Sequence, residues 1–204
     1  MAAESAPKKV ALLFDDGPIP AQAAAFRTLF AAENVRVTWA YEAKEVAAHP
    51  EIARAALAAG HEVANHSYAH LHPQQIDDAA LRHEIVDAQK VLTAELGVAP
   101  RWYWKPFTEA DPRQGALWAE AGIRDFDMSP QVWSHDWNTA VDAEAIYRNA
   151  TTNVGDGSLI IFHEWRAETL AQMPAILAEL KRQGCEFVTI SELAAYLESK
   201  AAQK

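Results

Sequence analysis

Short apolar segments alternate with longer stretches of helix-favouring residues along most of the chain. The first apolar segment covers residues 10–14, and the Ala-rich stretch 21–33 that follows favours a helix. Further strands are predicted at residues 35–41, 61–64, 101–104, 124–126, 158–162 and 186–188. Further helices are predicted at residues 42–59 with a break at His49-Pro50, and at 74–96, 113–121, 142–152, 168–183 and 189–197.

Strands that alternate with helices pair in parallel through right-handed crossover connections. The seven predicted strand–helix units fit a (β/α) barrel with one unit fewer than the usual eight, and they also fit an open doubly wound sheet. Both architectures place functional side chains at the carboxyl ends of the strands. Polar clusters that directly follow predicted strands are therefore the candidate site.

Composition and charge narrow the classes of function. The chain has 204 residues, of which 50% are hydrophobic, and this suits one domain with a buried core. Its formal net charge is -10 and it has no Lys/Arg cluster, so we expect no nucleic-acid partner. The apolar runs are too short to span a membrane, and the first residues lack the apolar region of a signal peptide. The single cysteine, Cys185, cannot form an intramolecular disulfide.

Two adjacent carboxylates, Asp15 and Asp16, follow the first predicted strand and precede Gly17 and Pro18. Adjacent carboxylates are costly unless solvent or a cation compensates their charge, and neighbouring strand residues point to opposite faces. One Asp could therefore hold a metal while the other accepts a proton. An Asp-Gly-Pro turn is the alternative interpretation, and the motif taken alone favours it.

Two histidines, His66 and His70, follow the third predicted strand. Their spacing would place both imidazoles on one side of a helical turn, and two neutral imidazoles suit zinc and other divalent transition metals. The chain has 8 His, so a single pair at this spacing could also arise by chance.

A further histidine, His163, follows the strand predicted at residues 158–162. A lone His beside an apolar strand is more often structural than catalytic, and its place at a strand end is what favours a role in the site. In a parallel barrel or sheet the three clusters would meet on one face. Together they suffice for metal-assisted hydrolysis, with a carboxylate as proton acceptor and a His as proton donor.

These segments resemble the polysaccharide deacetylase (NodB-homology) family, carbohydrate esterase family four. The resemblance rests on Phe-Asp-Asp-Gly-Pro at residues 14–18, His-Ser-x-x-His at residues 66–70 and the apolar strand that ends in His163. It implies an α/β fold, a single-domain distorted (β/α) barrel with about seven strand–helix units. We expect a flexible leader at residues 1–9, a catalytic domain at residues 10–199 and a tail at residues 200–204.

The resemblance also implies the roles of individual residues. Asp15 would be the general base and His163 the general acid, with Asp136 expected to tune His163. The expected metal ligands are Asp16, His66 and His70. We expect zinc, and cobalt, nickel or manganese stay open because this donor set suits several metals. Flat aromatic faces stack on sugar rings, and the residues expected to contact substrate are Trp104, Phe107, Trp137 and Tyr68.

Two motifs depart from the family pattern. The family usually carries an Arg before Pro-Pro-Tyr/Phe, which orients the base, and Trp104 stands at that position here. Lys105 or Arg101 is a candidate for the missing cation, although a lysine lacks the geometry of an arginine. The next motif usually has two Asp and a Trp, whereas the segment around Asp136 has a single Asp.

The sequence therefore predicts a metal-dependent hydrolase that removes N- or O-linked acetyl groups from a carbohydrate polymer or oligomer. The resemblance implies a periplasmic or secreted location, and we expect a monomer. A non-catalytic carbohydrate-binding or scaffold protein on the same fold is one alternative, favoured only by the altered Arg motif. A metal-dependent hydrolase of a non-saccharide amide is the other.

Overall fold

The computed structural model describes residues 6–203. Within this range the chain forms one parallel sheet of eight strands. The strands are β1 (Lys8–Gly17), β2 (Thr38–Tyr41), β3 (Glu62–Asn65), β4 (Trp102–Tyr103), β5 (Arg124–Asp125), β6 (Gln131–Trp133), β7 (Leu159–His163) and β8 (Cys185–Val188). They lie in the order β5-β4-β3-β2-β1-β7-β6, and β8 pairs with the first part of β1.

Nine α-helices connect or follow these strands in the described part of the chain. They are α1 (Pro20–Glu33), α2 (Ala43–Ala48), α3 (Pro50–Ala58), α4 (Asp78–Arg82), α5 (Ala88–Leu96), α6 (Gln114–Ala121), α7 (Ala143–Thr151), α8 (Ala167–Arg182) and α9 (Ile190–Ala201). The sheet curls as an incomplete (β/α) barrel in a single domain, which confirms the predicted fold class. Within residues 6–203, β5 and β6 end the strand order and do not pair with each other.

The core lies on both faces of β1 and β7. Every residue at positions 10–14 and 159–162 is fully buried, as expected for central strands of a parallel sheet covered by helices on both sides. The Phe14 ring lies 5.1 Å from Phe162 of β7 and 5.2 Å from Phe26 of α1. This packing fixes the ends of β1 and β7 beside each other, with Asp15 in register with His163.

The helix predicted at residues 74–96 is interrupted. A 3-10 turn (Pro73–Gln75) comes first, then α4, then a π-helical segment (His83–Asp87), and then α5. Asp77 caps α4 by accepting a hydrogen bond from the Ala80 N–H, so the helix begins later than predicted. Helical spacing of the apolar residues did not reveal the wider turn.

The ends of the domain also differ from the prediction. Residues 1–5 of the predicted leader lie outside the described residues, whereas Lys8 and Lys9 belong to β1 and pair with β8. At the other end, Thr189 caps α9 with a capping box, and the helix runs into the predicted tail as far as Ala201. No helix in residues 6–203 combines the length and apolar character needed to cross a membrane.

Candidate active site

Three side chains from the ends of β1 and β3 converge at the carboxyl edge of the sheet. The Asp16 Oδ1 atom lies 3.3 Å from His66 Nε2 and 3.2 Å from His70 Nε2. One potential ligand atom from each of the three side chains falls within 4.8 Å of the other two. Two imidazoles and one carboxylate at this spacing form a donor set that suits a divalent transition metal.

The tautomer of His66 also fits a metal site. His66 Nδ1 lies 2.8 Å from the Trp104 carbonyl oxygen, which can only accept a hydrogen bond, so Nδ1 carries the proton. In its neutral form, which is the form that binds a metal, His66 therefore directs the Nε2 lone pair towards Asp16, as in metal-ligating histidines that donate their other N–H to a carbonyl. Burial lowers the pKa of His70 to about 4, which keeps its ring neutral and able to ligate.

His66 and His70 lie in a loop, so the predicted helical turn is wrong. We call residues 66–71 the metal loop. Ser67 and His70 adopt left-handed backbone conformations, with φ of 70° and 57°. The His70 N–H donates to Ser67 Oγ at 2.9 Å, and the Ser67 N–H donates to Asn65 Oδ1 at 2.8 Å. These side-chain acceptors replace the helical hydrogen bonds, and the turned backbone brings both rings to Asp16.

Asp15 is buried beside this cluster and is held by Trp104. The Trp104 indole N–H donates to Asp15 Oδ2 at 2.9 Å. Asp15 Oδ1 accepts no hydrogen bond and lies 3.3 Å from His163 Nε2. Burial raises the pKa of Asp15 to about 6, although the positive charges of His163 and His66 oppose the rise. A carboxylate with one free oxygen and a raised pKa is suited to accept a proton.

His163 is oriented by a fully buried carboxylate. Its Nδ1 lies 2.7 Å from Asp136 Oδ1, and its backbone N–H donates to Asp136 Oδ2 at 2.9 Å. The Thr169 hydroxyl donates to the same Oδ2 at 2.6 Å. Burial opposes protonation of the ring, but the charges of Asp15 and Asp136 and the hydrogen bond to Asp136 raise the pKa of His163 to about 9. The ring therefore carries a proton at neutral pH with Nε2 facing Asp15.

A cleft of about 520 Å³ opens over these groups. Three of the four residues expected to contact substrate line it, namely Trp104, Phe107 and Trp137. Trp137 and Phe107 are 52% and 45% exposed, and one face of the Phe107 ring is stacked on the His72 ring at a centroid distance of 3.6 Å. Tyr68 lies outside this lining, because its ring packs against the His83 ring at 4.3 Å and against the core.

Lys105 and Arg101 were the two candidates for a cation next to Asp15, and the structure places neither of them there. Lys105 forms an ion pair with Asp125 of β5, and Arg101 is exposed at the opposite end of the sheet from Asp15. The indole N–H of Trp104 is the group that contacts Asp15 instead. A neutral donor therefore takes the position where a cation was expected.

Sequence analysis did not predict the contacts that some residues make around the site. The Trp165 indole N–H donates to Asp16 Oδ2 at 3.0 Å, which leaves Oδ1 directed at the two histidines. Glu164 is fully buried under the turn after β1, and its Oε2 accepts the Ile19 N–H at 3.1 Å. Thr169 is on the first turn of α8, and no spacing rule links it to Asp136. Glu164 directly follows His163, but its burial depends on packing that the sequence does not display.

Sequence and structure comparisons agree with this geometry. The sequence model of the family described as Polysaccharide deacetylase matches residues 2–126. A peptidoglycan-N-acetylglucosamine deacetylase of Bacillus cereus is 30% identical over 199 residues, covering 93% of this chain and 89% of that protein. A peptidoglycan-N-acetylglucosamine deacetylase of Listeria monocytogenes is 27% identical over 186 residues, covering 91% of this chain but 39% of its own length.

A solved structure shows the same likeness. The family 4 carbohydrate esterase from Streptomyces lividans, determined in complex with acetate, superposes with a TM-score of 0.81 at 30% identity. The match covers 89% of this chain and 92% of that chain. The family model spans more than half of the chain, and the Bacillus cereus relative spans nearly all of it. This protein is therefore an enzyme of the polysaccharide deacetylase family.

Proposed function

We propose that the protein is a metal-dependent hydrolase that removes N-linked acetyl groups from the amino sugars of a cell-wall glycan. The observation that carries the proposal is the convergence of five side chains from three strand ends at one cleft, Asp15, Asp16, His66, His70 and His163. The printed names of the Bacillus cereus and Listeria monocytogenes relatives support peptidoglycan as the first substrate to test.

Asp16, His66 and His70 would hold the metal, and zinc is the ion we expect because its common ligands are nitrogen and carboxylate oxygen. A divalent cation held there would polarise the acetyl carbonyl and lower the pKa of a bound water molecule. Trp165 and the Trp104 carbonyl orient the ligand side chains, and such outer contacts raise metal affinity.

Asp15 is the proposed general base. The Trp104 N–H occupies Oδ2, so Oδ1 is the oxygen that can take a proton from the attacking water. Its burial excludes bulk solvent and places the carboxylate in a medium where proton transfer is favourable. The Asp15 side chain is fixed on the central strand of the sheet, which limits the motion needed to reach the water.

His163 is the proposed general acid. Asp136 holds Nδ1, which leaves the Nε2–H directed at the cleft and at Asp15. The amine that departs from an acetamide is a poor leaving group unless it is protonated, and an imidazolium at this position supplies that proton. Asp136 in turn is held by Thr169, so the ring keeps its orientation while the proton moves.

The exposed rings of Phe107 and Trp137 support a carbohydrate substrate, because flat apolar surfaces stack on sugar rings. A cell-wall substrate would require a location outside the cytoplasm, and we propose a secreted or periplasmic enzyme on that ground.

The test is acetate release by the purified protein from peptidoglycan, chitooligosaccharides and acetylxylan, with chelator and with added Zn²⁺. We expect metal-dependent release from the two N-acetylated substrates and little from the O-acetylated xylan. Release from acetylxylan alone would overturn the N-deacetylase assignment. Protein that holds metal but releases no acetate from any substrate would favour the binding protein or an enzyme for a non-saccharide amide.

The Asp15→Asn variant tests the base within the same assay. Asn keeps the acceptor for the Trp104 N–H but cannot accept a proton, so we expect turnover to fall by about 10²–10⁴-fold. Zn²⁺ binding, measured by competition with a chromophoric chelator, should persist in this variant and be lost in His66→Ala. Full activity in Asp15→Asn would remove Asp15 from the proposed role.

A further inference from the structure

The π-helical segment His83–Asp87 lies between α4 and α5 and contacts the metal loop. A π-helical turn is rare, has less favourable hydrogen-bond geometry than an α-helix, and is frequent at functional sites. No residue of this segment is among the proposed metal ligands, base or acid. Its hydrogen bonds to the metal loop and to Asn65 explain why a π-helical turn forms at this position.

Glu84 of this segment holds the backbone on both sides of His70. Its Oε2 accepts the Ala69 N–H at 3.0 Å and the Leu71 N–H at 3.4 Å. The His70 N–H between them donates to Ser67 Oγ at 2.9 Å. Three consecutive N–H groups of the metal loop are thereby held, two of them by one carboxylate that is only 3% exposed.

The same segment also holds the start of the metal loop. The Asn65 side-chain N–H donates to the Ile85 carbonyl oxygen at 3.3 Å and to Gln89 Oε1 at 3.1 Å. Asn65 directly precedes His66, and its Oδ1 accepts the Ser67 N–H. Hydrogen bonds therefore hold the residues that adjoin His66 and the residues that adjoin His70.

The metal loop needs external support because of its backbone conformation. Ser67 and His70 have φ of 70° and 57°, in a region that residues with a Cβ occupy at an energetic cost. Such backbone conformations are stable only where contacts with the surrounding structure hold them in place. Glu84 and Asn65 supply those contacts from outside the loop.

We propose that Glu84 is a positioning residue that orients His70 for metal binding, with the π-helical segment as the platform for the metal loop. The proposal rests on the proposed function, since it takes Asp16, His66 and His70 as the metal ligands. The carboxylate acts through its hydrogen bonds to Ala69 and Leu71. Within residues 6–203, its side-chain hydrogen bonds are made to these two N–H groups and not to the donor atoms of the proposed metal ligands.

Three variants separate the hydrogen bonds from charge and volume. Glu84→Met has a similar length but no acceptor, and Glu84→Gln keeps one acceptor oxygen without the charge. Asp87→Asn is the matched control, because Asp87 lies in the same segment and its contacts are with His83, Lys90 and Arg82 at the surface. The measurement is the Zn²⁺ dissociation constant from chelator competition on full-length protein, with the circular dichroism spectrum of each metal-free variant as the check of folding.

We expect Zn²⁺ binding to weaken by about 10–100-fold in Glu84→Met, the range typical for loss of an outer contact to a ligand. Glu84→Gln and Asp87→Asn should stay within about threefold of the parent by the same reasoning. Unchanged affinity in Glu84→Met overturns the proposal. A loss in Glu84→Gln equal to that in Glu84→Met also overturns it, because charge would then be responsible.

Amide hydrogen exchange on the metal-free parent protein gives an independent test, and it is decisive if Glu84→Met does not fold. The Ala69 and Leu71 amides should be protected by their hydrogen bonds to Glu84, and the protection should persist in Glu84→Gln. Rapid exchange at both amides would overturn the proposal. A parent protein that shows these protected amides but binds no Zn²⁺ would instead refute the metal site on which the proposed function depends.

Discussion

Trp104 contributes two different groups to the site. Its carbonyl oxygen accepts the His66 Nδ1–H, and its indole N–H donates to Asp15 Oδ2. One buried residue thereby sets the tautomer of a proposed metal ligand and the orientation of the proposed base. Because the indole is neutral, it orients the carboxylate without the full charge that an arginine would bring.

Removing only the indole N–H should separate these two contributions. Trp104→Phe keeps the backbone carbonyl and most of the ring, but it leaves Asp15 Oδ2 without its donor. Losing one hydrogen bond to a buried charged group costs roughly 1–3 kcal/mol, so we expect kcat to fall by about 10-fold or more. Zn²⁺ affinity should be unchanged because the His66 contact is to the backbone.

Trp133→Phe is the control for this prediction. Trp133 lines the same cleft, and its ring centroid is 6.2 Å from that of Trp104, but the Asp15 carboxylate is held by Trp104. A similar fall in kcat for both variants would show that loss of aromatic volume, and not loss of the donor to Asp15, is responsible. Steady-state acetate release with the two variants in parallel decides between these explanations.

The turn between β1 and α1 depends on the absence of a side chain at Gly17. A Cβ there would overlap Glu164 Oε2 and would lie 2.6 Å from Tyr41 Cε1. Both neighbours are fully buried side chains, so they cannot move aside without disturbing the core. We expect Gly17→Ala to lower the free energy of unfolding by about 1–3 kcal/mol, the usual range for an overpacked core, and to weaken Zn²⁺ binding through Asp16.

Gly115→Ala is the matched control, because Gly115 lies within α6 and a Cβ there meets no atom within 4 Å. This replacement should raise the free energy of unfolding by about 0.4–1 kcal/mol, since alanine lowers the entropy of the unfolded chain. Urea unfolding of both variants measures the difference. Equal stability of the two variants would contradict the crowding at Gly17.

The elements that could be predicted from the sequence are those whose signal is local. Residues 10–14 and 158–162 are continuous apolar runs, and they form the buried strands β1 and β7. The strand β6 was missed because Gln131 is exposed and only three residues pair at this edge, too few for a periodicity. The π-helical segment could not be predicted because its contacts are to Asn65 and the metal loop, which are distant in sequence.

The residues of the site could also be predicted from local sequence, whereas their contacts with residues distant in sequence could not. Strand-end positions indicated Asp15, Asp16, His66, His70 and His163, because carboxyl ends of parallel strands share one edge. The orientation of these groups could not be predicted. Trp104 could be matched to the place of an arginine, but only the packed structure brings its N–H to Asp15. Tyr68 lies in the right loop, yet its ring faces His83.

At the scale of the whole molecule, two buried ionisable groups give stability opposite dependences on pH. Burial lowers the pKa of His61 to about 4 from 6.5, with Arg27 and Arg36 adding to the effect. The contribution of His61 is therefore fully present above pH 6.5 and is lost as the pH falls towards 4. Burial raises the pKa of Glu164 from 4.5 to about 8. The contribution of Glu164 to stability is therefore fully present below pH 4.5 and is lost as the pH rises towards 8.

Glu164→Gln should remove the loss of stability at higher pH. Below pH 4.5 the carboxyl is neutral in both the folded and the unfolded chain, so parent and variant should be equally stable. Between pH 4.5 and 8 the unfolded chain ionises while the folded chain keeps its proton, which costs the parent on the order of 3–5 kcal/mol by pH 8. Gln stays neutral and still accepts the Ile19 N–H, so the variant avoids this cost.

Thermal unfolding of the metal-free proteins from pH 5 to pH 8 measures this effect. We expect the Tm advantage of Glu164→Gln over the parent to grow steadily across this range, because burial raises the pKa of Glu164 by more than the Ile19 N–H and the charge of Arg27 lower it. Glu144→Gln is the control, since the Glu144 side chain is 78% exposed and its replacement should leave the Tm difference constant. If the Tm difference between Glu164→Gln and the parent does not change with pH, Glu164 is ionised in the folded protein. The buried Oε1 atom of an ionised Glu164 would need a hydrogen-bond donor, and the packing around Gly17 and Tyr41 does not supply one.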